Sequence, residues 1–214
     1  MGPLLTEFTT WFLHLDETLG SVITTQGDWV YVLLGLIIFM ETGLVVAPFL
    51  PGDSLLFAAG TFAGKGVLSL RVVLPLFILA AILGDALNYW IGRKYGLKFY
   101  QRFQGRILKP EYLERTQKFY KKHGSRMIVL ARFVPIVRTL APFVAGVGEM
   151  PYNVFVRYNI MGAVVWATLM TLAGYYLGTL SIIRRHFSLV AIAIVIVSLL
   201  PMLWESFRNR SEKA

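Results

Sequence analysis

Long apolar runs separated by short polar turns set the pattern of this chain. Residues 3–24 place Leu4, Phe8, Trp11, Phe12, Leu15, Leu19 and Val22 on one helical face. Glu7, His14, Asp16 and Glu17 interrupt any continuous span there, which predicts an amphipathic helix lying on the membrane or packed against the protein. A basic leader and a cleavage site are lacking, so this is not read as a signal peptide. Residues 29–64 form two apolar arms around Pro48-Phe49-Leu50-Pro51-Gly52-Asp53, with Glu41 in the first arm. Such a turn reads as a hairpin or a broken helix. Residues 67–92 are apolar enough to span a bilayer, with Pro75 near the start and Asp85, Asn88 and Tyr89 near the end. A basic segment follows over 93–126. Residues 127–150 hold a second interrupted apolar stretch, and 154–180 and 187–205 are further spans.

The stretch from Ala131 to Gly146 departs most from an ordinary span. It contains Arg132 and Arg138 as well as Pro135 and Pro142. An arginine at membrane depth costs about 2.5 kcal/mol or more, so it needs a partner or a task. Each proline removes a backbone donor. Backbone freed in that way is tolerated at depth only inside protein or beside a wet cavity. The expectation is a re-entrant hairpin over 127–150, matching one over 29–64, with Pro48, Pro51, Gly52, Pro135 and Pro142 as its breakers.

Composition sharpens the membrane reading. The 214 residues are 56% hydrophobic and 15% charged, with a mean hydropathy of +0.62; soluble domains carry roughly 25% charge. There is no cysteine, which excludes disulfides, thiolate metal sites and cysteine nucleophiles. The net charge of +9 is concentrated. Residues 1–64 contain no Lys or Arg, whereas eleven basic residues lie between Arg93 and Arg126. Nucleic-acid binding is one reading of such a run. A short basic loop between spans is what the positive-inside rule expects of a cytoplasmic loop. That places 93–126 and the C-terminus in the cytoplasm, with 29–64 dipping in from the outer side.

The two interrupted stretches resemble each other. Ala47-Pro-Phe-Leu-Pro51 aligns with Ala131-Arg-Phe-Val-Pro135 at an offset of 84 (131 − 47). Phe57, Ala59 and Gly60 align with Phe143, Ala145 and Gly146 at 86 (143 − 57), and the same offset relates Tyr89 to Tyr175 and Gly92 to Gly178. The expected architecture is an all-α polytopic membrane protein forming one domain. Its two inverted repeats each carry a re-entrant hairpin followed by a span. Transporters often place their substrate where such repeats meet.

Glu41, Asp53, Arg132 and Arg138 are the ionisable groups of the hairpins. If the hairpins face each other, two carboxylates confront two guanidiniums. Structural ion pairs are one reading. The other divides the work: guanidiniums offer phosphate a planar fork of donors, and carboxylates at depth bind and release protons. Asp85, Asn88 and Tyr89 share a helix face and stand as supporting residues behind that pocket, or as a polar patch at the membrane boundary. His14, His123 and His186 are scattered, so no metal site is expected. Gly60–Gly66 fails the spacing of a phosphate-binding loop, and no Ser- or zinc-hydrolase motif is present. Neither enzyme activity nor a cofactor is expected.

Six stretches taken together are family signatures: Glu41-Thr-Gly-Leu, Phe49-Leu-Pro-Gly-Asp53-Ser, Gly84-Asp85-x-x-Asn88-Tyr89-x-x-Gly92-Arg93, Lys122-His-Gly124, Arg132-Phe-x-Pro-x-x-Arg138-Thr and Pro142-x-x-Ala145-Gly146. Over roughly residues 25–205 the chain resembles the DedA family of bacterial inner-membrane proteins, which carry a VTT domain. The resemblance implies lipid transport in the bacterial inner membrane. It identifies Glu41 and Asp53 as the family's acidic pair and Arg132 and Arg138 as its arginine pair. The leading expectation is a proton-coupled flippase for an anionic lipid such as undecaprenyl phosphate. The phosphate would rest on Arg132 and Arg138, with Glu41 and Asp53 coupling protons. The alternatives are an uncoupled phospholipid scramblase, for instance of phosphatidylethanolamine, and a proton/cation antiporter. The expected partners are membrane lipid and protons, not nucleic acid; a homo-oligomer is left open.

Overall fold

A computed structural model describes residues 27–44, 52–102, 124–133, 135–178 and 180. The expected N-terminal helix over 3–24, Pro48, Pro51, residues 103–123 and the span over 187–205 lie outside the described residues. Within them every regular element is helical: α1 (Trp29–Gly43), α2 (Gly52–Gly64), α3 (Leu70–Arg102), a single 3-10 turn (Gly124–Arg126), α4 (Met127–Ala131), α5 (Pro135–Val147) and α6 (Tyr152–Leu177). Among the described residues two stretches are long and apolar enough to cross a membrane, Leu70–Gly96 and Tyr152–Leu177. The first measures about 40 Å at 1.5 Å per residue, more than the ~30 Å of hydrocarbon.

The helices begin and end for local reasons. Helix α3 continues past the expected end at residue 92 to Arg102. The added residues include Lys94, Tyr95, Leu97 and Lys98, none of which breaks a helix, and charge stops a span without stopping a helix. Lys94 folds its ammonium back over Trp90, 4.7 Å from the ring centre. The second interruption lies at Arg132-Phe133, between α4 and α5. Pro135 opens α5 as its first residue, where its missing N–H costs nothing. Pro142 was expected to break the segment; instead α5 runs through it to Val147. One missing donor in a packed apolar helix is tolerated. Gly52 likewise starts α2. Helix α5 ends where Glu149 adopts a left-handed conformation (φ 52°) and the Met150 N–H donates to the Ala145 carbonyl (3.0 Å).

Helices α3 and α6 bury matching faces. Helix α3 buries Val73, Phe77, Ala80, Ala81, Gly84, Asp85, Asn88, Tyr89 and Gly92, whereas α6 buries Phe155, Asn159, Gly162, Ala163, Trp166, Ala167, Thr171 and Gly174. The spacing of three and four is helical. The opposite faces expose Leu79, Leu83 and Trp90 on α3 and Met161, Val164 and Leu169 on α6. Apolar side chains facing outward suit hydrocarbon rather than water.

The chain divides into two compact units. The first comprises Met1–Leu36, Pro51–Phe77 and Ala167–Val197. In it α2 lies against the later part of α6. A Cβ on Gly60 would collide with the Thr171 carbonyl, and one on Gly174 with the Phe57 carbonyl. Thr61 Oγ1 donates to the Phe57 carbonyl at 3.0 Å and lies 3.2 Å from that of Gly174. The second unit comprises Ile37–Leu50, Ile78–Trp166 and Ser198–Ala214. Here α5 lies against α3: a Cβ on Gly92 would strike the Phe143 carbonyl, and one on Gly146 that of Tyr89. Both units therefore pack helices through glycine, backbone against backbone, as membrane helices do.

Candidate functional site

The second unit buries an unusual number of polar side chains: Glu41, Thr42, Asp85, Asn88, Arg132, Arg138, Thr139 and Asn159. Glu41 stands two residues before the end of α1. It meets Arg138, in the first turns of α5, with Arg138 Nη2 2.5 Å from Glu41 Oε1. Arg132 follows the last residue of α4, where the chain leaves the helix. Its Nη2 lies 2.5 Å from Asp85 Oδ2 on α3 and 2.6 Å from Asn159 Oδ1 on α6. Glu41 is 0% exposed, Asp85 and Arg132 2% and Arg138 6%, so these are ion pairs removed from solvent. Burial of that kind costs several kcal/mol per ion unless each charge is matched.

Trp166 joins the two pairs. The guanidinium carbons of Arg132 and Arg138 lie 5.8 and 5.4 Å from the centre of the same indole ring. An aromatic ring attracts cations, so one indole draws on both guanidiniums. Gly162, one turn before Trp166, leaves room for Arg132: a Cβ there would come within 2.9 Å of Arg132 Cδ. Asn159 is itself held, because its Nδ2 donates to the Ile82 carbonyl at 3.0 Å.

Asn88 fixes the frame. Its Nδ2 donates to the Thr42 carbonyl (3.2 Å) and to the Thr139 carbonyl (2.8 Å). Those carbonyls lie one residue beyond Glu41 and one beyond Arg138. A single amide thus sets the register of both partners of one ion pair. Tyr89 secures the far end of α5: its hydroxyl donates to the Met150 carbonyl and accepts from Arg93 Nη1 at 3.1 Å. Its ring stacks on Phe155 with 4.5 Å between centres.

The structure therefore brings Glu41, Arg132, Arg138, Asp85, Asn88 and Tyr89 into one unit. Asp85 was expected behind the pocket; it is instead the direct partner of Arg132. It sits on the buried face of α3 one turn before Asn88, level with the end of α4. Asp53 belongs to the first unit, where it is half-buried in the first turn of α2. Sequence reasoning missed Asn159, Gly162 and Trp166. Their spacing of three and four within an otherwise apolar span was the available signal. Among the described residues no cluster of three or more acidic or His side chains could hold a metal.

Arg132 has bonding capacity left over. A guanidinium offers five N–H donors. Arg132 uses Nη2, while Nε and Nη1 are buried and make no hydrogen bond among the described residues. Asp85 Oδ1 and Asn88 Oδ1 are in the same condition. Buried donors of this kind are costly when left unmatched.

Comparison with known proteins agrees with this picture. The VTT domain model matches residues 50–176. Protein DedA of Escherichia coli K12 is 48% identical over 204 residues, covering 94% of this chain and 93% of that protein. An uncharacterized membrane protein of Mycobacterium tuberculosis is 42% identical over 175 residues, 81% of this chain and 77% of its own. Inner membrane protein YghB of Escherichia coli K12 is 33% identical over 157 residues, 73% of this chain and 72% of its own. No solved structure matches. A VTT domain over more than half the chain, near-full-length identity to DedA and two apolar spans around a buried charge cluster make this chain a membrane protein of the DedA family.

Proposed function

We propose that the chain is a proton-coupled transporter that moves an anionic lipid across the bacterial inner membrane, with undecaprenyl phosphate as its substrate. The observation that carries this reading is the half-used guanidinium of Arg132. Its Nε and Nη1 are buried and make no hydrogen bond among the described residues, and a second guanidinium lies over the same indole. Two adjacent guanidiniums match the several acceptor oxygens of a phosphate, and buried charge-assisted bonds are about twice as strong as neutral ones. The headgroup would be held by Arg132 and Arg138, and the polyprenyl chain would stay in lipid beside the exposed apolar faces of α3 and α6. Glu41 and Asp53 would exchange protons as the headgroup moves. The sequence reading of 29–64 and 127–150 as re-entrant hairpins of an inverted repeat is in keeping with this, since such repeats offer a polar site at membrane depth.

Reconstituted vesicles containing a short-chain polyprenyl phosphate test the proposal. Translocation should accelerate when a pH gradient is imposed and should be lost in Arg138→Ala. Translocation of many phospholipids at a rate indifferent to the gradient would replace this reading with an uncoupled scramblase. Proton flux without lipid movement would replace it with an antiporter.

A further inference from the structure

We infer that Asp85 and Glu41 are the resting occupants of the two arginines, and that an incoming phosphate monoester displaces them, each carboxylate taking up a proton as it lets go. The inference rests on the reading of Arg132 and Arg138 as the anion site. It adds Asp85, in the place expected of a supporting residue, as a coupling group.

Geometry and charge balance lead there. Asp85 is paired with Arg132 and Glu41 with Arg138. The charged groups acting on Asp85 are Arg132 and Arg138, and those acting on Arg132 are Asp85, Arg138 and Glu41. Within these two ion pairs the charges balance, two positive against two negative. A phosphate entering such a cluster would leave it negative in a medium that penalises net charge. The balance closes if protons enter with the anion. A monoanion brings one proton to one carboxylate, and a dianion brings one to each. The Nη2 donors released by the neutral carboxyl groups then pass to phosphoryl oxygens.

The cluster can open without unravelling. Arg132 keeps Asn159 Oδ1 as a second acceptor on Nη2, and the Asn88 bonds hold the backbone on either side of the Glu41–Arg138 pair rather than the ions themselves. Asp85 Oδ1 makes no hydrogen bond among the described residues, which leaves that oxygen available to a proton. The carboxylates are latches that protonation unfastens.

Titration calorimetry on the full chain in detergent, at about pH 8 in buffers of different ionisation enthalpy, measures the protons taken up. Farnesyl phosphate and inorganic phosphate are the probes. Both are largely dianionic there, the second pKa of a phosphate monoester being about 6 and that of inorganic phosphate about one unit higher. The wild type should take up about two protons per ligand, so that affinity weakens about tenfold per pH unit for each proton. Asp85→Asn, which keeps an oxygen for Arg132, should take up about one proton fewer. Asp28→Asn, an exposed carboxylate outside the cluster, should match the wild type. Uptake with farnesyl phosphate alone supports the proposal with a lipid ligand; uptake with both probes supports it with phosphate as the recognised group. Binding to the wild type without proton uptake would overturn it, and this arm stands even if Asp85→Asn fails to fold. Unchanged uptake in a folded Asp85→Asn would overturn it too. Failure of the wild type to bind either probe would overturn the anion-site reading itself and the displacement with it.

Discussion

Helices α3 and α6 bury the same succession of positions, 82 residues apart (155 − 73), from Val73 and Phe155 to Gly92 and Gly174, except that Met170 is only half-buried where Asn88 is buried. The packing chemistry along them nevertheless differs. Where α3 buries Asp85, α6 buries Ala167; where α3 has Asn88, α6 has Met170. In the first unit α2 rests on α6 through Gly60 and Gly174, and among the described residues the fully buried polar side chains are hydroxyls, Ser54, Thr61 and Thr171. In the second unit α5 rests on α3 through Gly92 and Gly146, and the same style of contact surrounds two ion pairs. Shared glycine packing with unshared charge separates scaffold from chemistry. Among the described residues, glycine contacts pack both units and the buried ion pairs lie in one.

Removing charge should expose this difference most strongly. Asp85→Ala leaves Arg132 without its counter-ion and should lower the unfolding free energy in mixed detergent by about 3–5 kcal/mol. Asn88→Leu takes the side-chain donor from the Thr42 and Thr139 carbonyls and should cost about 1–3 kcal/mol. It should also slow transport, because the register of Glu41 and Arg138 loosens. The glycines should behave alike in both units. Gly60→Val and Gly146→Val each force a side chain onto a backbone carbonyl, so each should cost about 1–3 kcal/mol or more. A large loss in one and none in the other would break the equivalence of the two packings. The smallest effect belongs to Thr171, whose buried hydroxyl oxygen makes no hydrogen bond among the described residues. Thr171→Val should raise thermal stability by about 1 kcal/mol, with transport unchanged.

Much of this was legible from the sequence, for a physical reason. Arg132, Arg138, Glu41 and Asp85 stand out because a charge inside an apolar run has a cost that calls for explanation. Their pairing was not legible: alternation of apolar and polar residues gives a face, not the partner opposite it. Asp85 thus read as support when it is the counter-ion of Arg132. Asn159, Gly162 and Trp166 passed as ordinary span residues, although a guanidinium needs an acceptor, space and a flat surface. The offset of 86 read for the spans rested on Tyr89 with Tyr175 and Gly92 with Gly178. Burial and contacts give 82 there. The difference is one helical turn, and residues one turn apart lie on the same face, so identities could not separate the two registers. Pro142 misled for a related reason, since a packed membrane helix can absorb a lost donor.

The central claim is that transport resides in the charge cluster of the second unit. The most direct measurement is the initial rate of polyprenyl phosphate translocation in vesicles by Arg138→Gln and Thr171→Val, each verified as folded by its melting curve. The account predicts a loss of at least about tenfold for Arg138→Gln, as expected when a charge-assisted contact worth roughly 1.5–3 kcal/mol is removed, and a wild-type rate for Thr171→Val. Folded Arg138→Gln translocating at the wild-type rate would contradict it.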